Sequence, residues 1–366
     1  MTTPDAMTGP AAPLVSVVLP VGGVEEFLPE CLDSVLGPGR PDLPAGQAGL
    51  EVIAVDDASP DGCGAILDRR AAQDPRLRVV HLTESVGPGP ARMRGLAEAS
   101  GAYVWFVDPD DLLAGGALAA VTERLARARP DVLLIDYEIL RGPGRAEPSP
   151  GAGLLAAPPG AGGADGAVTV TLAERPALIN RTMTAWSKVF RREFLLGLRV
   201  CFPPGIHEDV PVSCAALLSA ARIGLLDRVC YRYRRRPRSF LAAASMANFS
   251  IFASYDSVFA RLDAGVSAPV RAAVFGRAIE HYSTVLASGL VPRRARQEFF
   301  HRMAADYRRY RPPGYQRPPG LRGLKFALIE RDAYRAYLVL GPLNAARVTL
   351  LRVRPARPVR RAQPAS

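Results

Sequence analysis

Two acidic clusters follow directly on apolar runs in the first third of the chain. Val55 leads into Asp56-Asp57-Ala58-Ser59-Pro60-Asp61-Gly62, and Phe106-Val107 leads into Asp108-Pro109-Asp110-Asp111. Five carboxylates at one edge (Asp56, Asp57, Asp108, Asp110 and Asp111) repel one another unless a cation or a hydrogen-bond-donating ligand sits among them. Hard oxygen donors of this kind suit Mg2+ or Mn2+ that keeps waters and shares a substrate's phosphates. The plainer chemistry of the same residues is turn and cap building, with Asp61 capping a helix near Cys63 and Asp108-Pro109-Asp110 forming a turn. A third pair, Glu208-Asp209, closes the run Pro203-Pro204-Gly205-Ile206-His207 and opens a helical stretch. Asp209 is therefore either a general base for a hydroxyl or the N-cap of that helix. Trp186 is either a core residue or a platform for a sugar ring, and Lys188, one of two lysines in the chain, can serve acceptor or phosphate binding. His207 reads as a loop residue beside the site.

The elements that must position these groups alternate regularly. Short β-branched runs at 15–19, 51–55, 77–80, 103–107 and 132–135 read as strands covered on both faces. Helical stretches at 25–36, 63–73, 88–99 and 115–129 fall between them, and that order argues a parallel sheet with helices on both sides. In such sheets ligands bind at the carboxyl ends of the strands, where both acidic clusters stand. A Gly/Pro/Ala-rich stretch at 141–167 reads as a flexible loop. Beyond it come the tryptophan segment at 184–190, the loop at 203–209, a helix at 210–220 and a short strand pair at 222–234. Helices are expected near 246–262, 268–288, 294–310 and 322–340, with residues 1–13 and 354–366 disordered.

The 366 residues include 46 basic and 35 acidic ones, a formal net charge of +11, with 48% apolar and 22% charged content. That composition is globular and excludes a collagen-like or wholly disordered chain. The excess is local: residues 291–366 hold 18 basic against four acidic residues, while residues 1–290 hold 28 against 31. No recognisable nucleic-acid-binding fold accompanies the basic end, so no nucleic acid is expected. A helical region at 241–353 with this charge can lie on an anionic membrane surface. Five cysteines without a C-x-x-C pair indicate neither a disulfide framework nor a zinc ribbon. With no basic-then-apolar leader and no uninterrupted apolar run of spanning length, the expectation is a cytoplasmic protein, peripheral on the inner membrane face at most.

Val15-Ser16-Val17-Val18-Leu19-Pro20-Val21, the Asp56–Gly62 cluster, Gly87-Pro88-Gly89-Pro90-Ala91-Arg92-Met93-Arg94-Gly95 and the Asp108–Asp111 cluster resemble, in order and spacing, the nucleotide-sugar half of family 2 glycosyltransferases. Ala185-Trp186-Ser187-Lys188-Val189-Phe190-Arg191-Arg192, Phe202–Asp209 and Tyr231-Arg232-Tyr233-Arg234 resemble acceptor-side segments of bacterial members, including modules of teichoic-acid-type polymerases. The resemblance covers residues 14–240 and implies an α/β chain of GT-A type, a Rossmann-like, mostly parallel sheet with helices on both faces. It divides that domain into a nucleotide-sugar half, 14–140, the 141–167 loop and an acceptor half, 168–240.

The resemblance further implies an inverting transfer from a nucleotide-diphosphate sugar, of the UDP class, to a glycan, polyol-phosphate or lipid-linked acceptor, with Mn2+ or Mg2+. Pro20, Val21, Asp56 and Asp57 would border the base and ribose, Arg92 the nucleotide or its phosphates. Asp108, Asp110 and Asp111 would form the DXD-like group, with Asp110 and Asp111 holding ribose and metal. Trp186, Lys188 and Glu208 would face the substrate, and Asp209 would be the base. The chain departs from the family where Gly22-Gly23 replaces an aromatic-polar pair after Pro20-Val21, and where Met93 and Ser85-Val86 replace common asparagines. Those departures keep open a second function, a catalytically silent module that binds an anionic polymer or partner. A lone Gly87-x-Gly89 and the absence of G-x-x-x-x-G-K-[ST] argue against dinucleotide and P-loop chemistry.

Overall fold

The computed structural model describes residues 13–37, 49–142, 144–156, 168–181, 183–235 and 244–340. Residues 1–12 and 354–366 of the ends expected to be disordered, residues 38–48, residues 157–167 of the Gly/Pro-rich stretch and residues 341–353 lie outside the described residues.

Strand β1 (Val15–Val21) is buried at all seven positions, as its continuous apolar run requires. Strands β2 (Leu50–Asp56), β3 (Leu77–His81) and β4 (Tyr103–Phe106) run parallel to it in the order β3-β2-β1-β4. Val18 pairs with both Ile53 and Phe106, so Asp56 and Asp108 leave the sheet at the same edge. Helices α1 (Leu28–Leu36), α2 (Cys63–Ala71) and α3 (Pro88–Glu98) separate these strands in sequence. Helix α3 lies so close to the sheet that a Cβ on Gly95 would overlap Val18 Cγ1.

The second half of the sheet is mixed. After β5 (Leu112–Leu113), α4 (Ala117–Ala128), β6 (Val132–Leu140), β7 (Ala146–Pro148) and β8 (Thr169–Val170), the tryptophan segment supplies β9 (Lys188–Arg191). Strand β9 inserts antiparallel between β4 and β6, a placement that no local pattern announces. After α5 (Arg192–Gly197) and α6 (Asp209–Ser219), the expected strand pair at 222–234 is one long bulged strand, β10 (Ile223–Arg234), parallel to β6 and antiparallel to β5. No turn forms there because the 12 residues carry no Gly-Asn or Asp-Gly turn pair and are held along their length by β6. Most paired residues of the whole sheet run parallel.

The expected helix 246–262 is a 3-10 turn (Met246–Phe249) followed by α7 (Ser250–Phe259). Later helices are α8 (Ala268–Ala287), α9 (Arg296–Tyr310) and α10 (Gly320–Glu330). The expected helix 322–340 breaks at 331–333, where Asp332 takes a left-handed φ of 55°. The chain forms two compact units, Met1–Ala278 and Ile279–Ser366. The second has its own core of Tyr282, Phe299, Phe300, Met303, Tyr307, Phe326 and Ile329, and the buried Tyr282 hydroxyl donates to Asp306 Oδ2 at 3.2 Å.

Candidate active site

The sheet edge beyond β2 and β4 carries the acids, and each is held differently. Asp56 Oδ1 accepts from the Ser59 N–H at 3.1 Å, and Oδ2 meets His81 Nδ1 at 2.9 Å, whose Nε2 reaches Asp68 at 3.0 Å. Burial alone would raise the Asp56 carboxyl, but the hydrogen bonds of Ser59 and His81 outweigh it and hold the group below its ordinary value. Asp57 clasps the following loop: it accepts from Ser85 Oγ at 2.9 Å, Val86 N–H at 2.7 Å and Gly87 N–H at 2.9 Å. Pro20 and Val21 are buried inside β1, and the Val21 carbonyl takes the Asp57 N–H at 2.8 Å. Their side chains therefore build the sheet rather than border a ligand, contrary to expectation.

Beyond β4, Asp111 turns inward. It is 1% exposed; Oδ2 accepts from the Tyr231 hydroxyl at 2.8 Å and Oδ1 from the Arg234 N–H at 2.7 Å. Burial, then repulsion from Asp110 and Asp108, pushes its carboxyl well above the carboxylate range. The same Tyr231 oxygen accepts the Asp108 N–H at 3.1 Å, so one phenol pins both ends of the turn. Asp111 thus holds the turn to β10, with each carboxylate oxygen accepting one protein hydrogen bond. Asp110 is half-buried at the same turn.

Arg92, expected beside the nucleotide, is enclosed at 3% exposure among acids from two distant segments. It donates to Asp108 Oδ1 at 2.7 Å and to Glu208 Oε1 at 2.7 Å, and lies 3.4 Å from Asp209 Oδ1. Its guanidinium also sits over the Phe202 ring, 5.7 Å from the centroid. Gly89, one turn earlier on α3, permits this: a Cβ there would overlap the Pro203 carbonyl oxygen.

Asp209 is the first residue of α6, one place past the N-cap, and Glu208 holds the N-cap place without a side-chain cap hydrogen bond. Asp209 Oδ1 is enclosed and has no hydrogen-bond donor. Burial drives the carboxyl upward, Arg92 opposes, and Glu208 and Asp108 add repulsion, so that it is raised to about 7. A carboxylate at that value is poised to exchange a proton near neutral pH. The preceding loop is fixed from α7 and the turn before it. Ser250 Oγ donates to the Ile206 carbonyl at 2.5 Å, Ser254 Oγ to the His207 carbonyl at 3.2 Å, and His207 Nε2 meets Asn248 Oδ1 at 3.2 Å. His207 itself takes a left-handed φ of 64°, a strained setting for a residue with a Cβ.

Two expected substrate contacts belong to the core. Trp186 is 4% exposed and stacks on Tyr231 at 4.4 Å and on Tyr233 at 5.7 Å, with Tyr137 edge-on at 4.7 Å. Lys188 is fully buried in β9 and donates from Nζ to the Thr184 carbonyl at 2.9 Å and to Ser187 Oγ at 3.2 Å. Burial pulls its ammonium down to about 7. The roles of Tyr231, Asn248 and Ser254 were not legible, although the Tyr231-x-Tyr233 alternation marks one face of a strand.

Among the described residues, no group of three or more His, Cys, Asp or Glu side chains is arranged to hold a metal by itself. Asp110, half-buried at the turn after β4, offers the hard oxygen donors that suit a divalent cation carried mainly by a ligand's phosphates. The mutual repulsion of the turn's acids fits such a cation.

A half-parallel sheet with its acids at one carboxyl edge and an acidic loop closing over it defines a GT-A type fold. Residues 16–142 match the sequence profile described as Glycosyl transferase family 2. It is 30% identical over 232 residues to the uncharacterized glycosyltransferase EpsJ of Bacillus subtilis, covering 62% of each chain. It is 29% identical over 221 residues to the poly(ribitol-phosphate) beta-N-acetylglucosaminyltransferase TarS of Staphylococcus aureus, covering 60% of this chain and 35% of TarS. The chain thus spans less than two thirds of either relative. The crystal structure of TarS residues 1–349 in complex with UDP-GlcNAc shares the fold, with a TM-score of 0.70 and 21% identity over 88% of this chain and 89% of that one.

Proposed function

We propose that the chain transfers a sugar from a nucleotide-diphosphate sugar of the UDP class to a hydroxyl of a cell-surface polymer precursor, with inversion at the anomeric carbon. The observation that carries this reading is Asp209: an enclosed carboxylate, raised to about 7, with one oxygen lacking a donor, facing the acids of the donor edge through Arg92. In the reaction the acceptor oxygen bonds to the anomeric carbon as the bond to the diphosphate breaks, and the acceptor proton passes to Asp209. A divalent ion held by Asp110 and the donor's phosphates would neutralise the leaving diphosphate. Asp56 and Asp57 would face the ribose and base, with Asp57 holding the loop Ser85–Gly87 against the nucleotide. The UDP-GlcNAc bound to TarS supports the UDP class, and the name of that relative supports a polyol-phosphate acceptor.

The test is UDP-GlcNAc turnover with Mn2+ and poly(ribitol-phosphate), for wild type, Asp209→Asn and Asp110→Asn. The expected outcome is a fall of about 10²–10⁴-fold for Asp209→Asn with donor binding retained. Equal background rates in all three would leave the silent, polymer-binding module as the reading. No helix among the described residues is long and apolar enough to cross a membrane. We propose that the basic excess of residues 291–366 instead holds the chain at an anionic membrane face, with vesicle binding that falls as salt rises.

A further inference from the structure

Three carboxylates, brought from positions 108, 208 and 209, converge on one guanidinium from position 92. We propose that Arg92 is a positioning residue: it ties the turn after β4 to the loop before α6, and so fixes Asp209 against the donor-edge acids without touching the donor. The inference deepens the glycosyltransferase reading, on which it relies for what Asp209 does.

The geometry leaves the guanidinium little else to do. Nη1 and Nη2 are spent on Glu208 and Asp108 at 2.7 Å each, Phe202 covers one face, and the group is closed to solvent at 3% exposure. Nε has no partner, so nothing competes with the acids for its orientation. A planar fork can bridge two acids at once, which a lysine ammonium does as a point charge only. Both acids it grips are neighbours of chemistry: Asp108 begins the turn that carries Asp110, and Glu208 precedes Asp209.

Asp209 is faced by Arg92 from α3, Asp108 from the turn after β4, Glu208 from its own loop and Lys188 from β9, and it receives the Ala185 N–H. Removing the Arg92 cation leaves three acids facing one another, and the Asp209 proton should then be held more tightly. Removing the Glu208 charge should act in the opposite sense.

The experiment is carboxyl-13C NMR of the full chain labelled at aspartate, with Asp209 assigned by the signal lost in Asp209→Asn. Titrated in wild type, the midpoint should lie at about 7. In Arg92→Met it should rise by about one to three units, the usual effect of losing a close opposite charge. In Glu208→Gln it should fall, and in Arg92→Lys it should stay near wild type. Arg92→Lys should also keep the thermal stabilisation that UDP-GlcNAc with Mn2+ gives the wild type. If Arg92→Met does not fold, Glu208→Gln and Arg92→Lys decide the matter. An Asp209 midpoint that none of the variants moves would overturn the proposal, as would an Arg92→Lys protein that loses donor stabilisation with its midpoint unchanged. A wild type that no UDP-sugar stabilises counts against the transferase reading alone, because the titration needs no donor.

Discussion

The end of β2 and the start of α6 each hold an aspartate, and the two are driven in opposite directions. Asp56 would be raised by burial, yet Ser59 and His81 give its charged form enough donors to lower it. Asp209 is half-buried with Oδ1 enclosed, but that oxygen has no donor and two acids lie beside it, and the carboxyl rises to about 7. Burial alone does not make a base; burial with withheld hydrogen bonds does. The first region spends its carboxylates on structure, and the second keeps one in reserve.

The largest effect expected away from the carboxylates themselves comes from Gly89→Ala. Its Cβ would force the loop at Pro203 away from α3, and displacing the base by about 1 Å costs about 10²-fold in kcat. Unchanged turnover would mean that this contact does not hold the loop. Tyr231→Phe should be smaller: it strips Asp111 of a donor and Asp108 N–H of its acceptor, at about 1–3 kcal/mol in urea denaturation. Donor binding should weaken with it, whereas Asp209 should titrate as before.

The smallest effect is a pair of opposed pH dependences. Asp209 has a folded value above its ordinary 3.8, so the stability it contributes is full below that value and is lost as pH rises through about 7. Asp209→Asn should therefore gain in melting temperature relative to wild type between pH 5 and pH 8. Asp56 has a lowered folded value, so its contribution is present above 3.8 and is lost as pH falls through the folded value. Asp56→Asn should fall below wild type at pH 6 and approach it in acid. Parallel curves for the two variants would erase the distinction between the regions.

Much of the donor half was legible because its signals are local. The largely apolar run of β1 and the acids at the ends of β2 and β4 mark a parallel sheet and its ligand edge without long-range information. The acceptor half depends on contacts that no spacing announces. Trp186 joins the core because β9 slips between β4 and β6 and sets its ring on Tyr231 and Tyr233. Lys188 is buried for the same reason. The place of Arg92 beside the nucleotide or its phosphates came from the family resemblance alone, and only the folded chain brings Glu208 to it across 116 positions. Asp111 could not be told from Asp110 in sequence, since what separates them is a tyrosine hydroxyl from β10.

The central claim is that Asp209 removes the acceptor proton. The direct measurement is the pH dependence of kcat/KM for sugar transfer from UDP-GlcNAc, from pH 5 to 9, in wild type and Asp209→Asn. The account predicts a wild-type rate that climbs with pH through an acidic limb near 7 and then levels, and a much lower rate without that limb in the variant. A wild-type profile flat across this range, or an acidic limb that survives in Asp209→Asn, would contradict it.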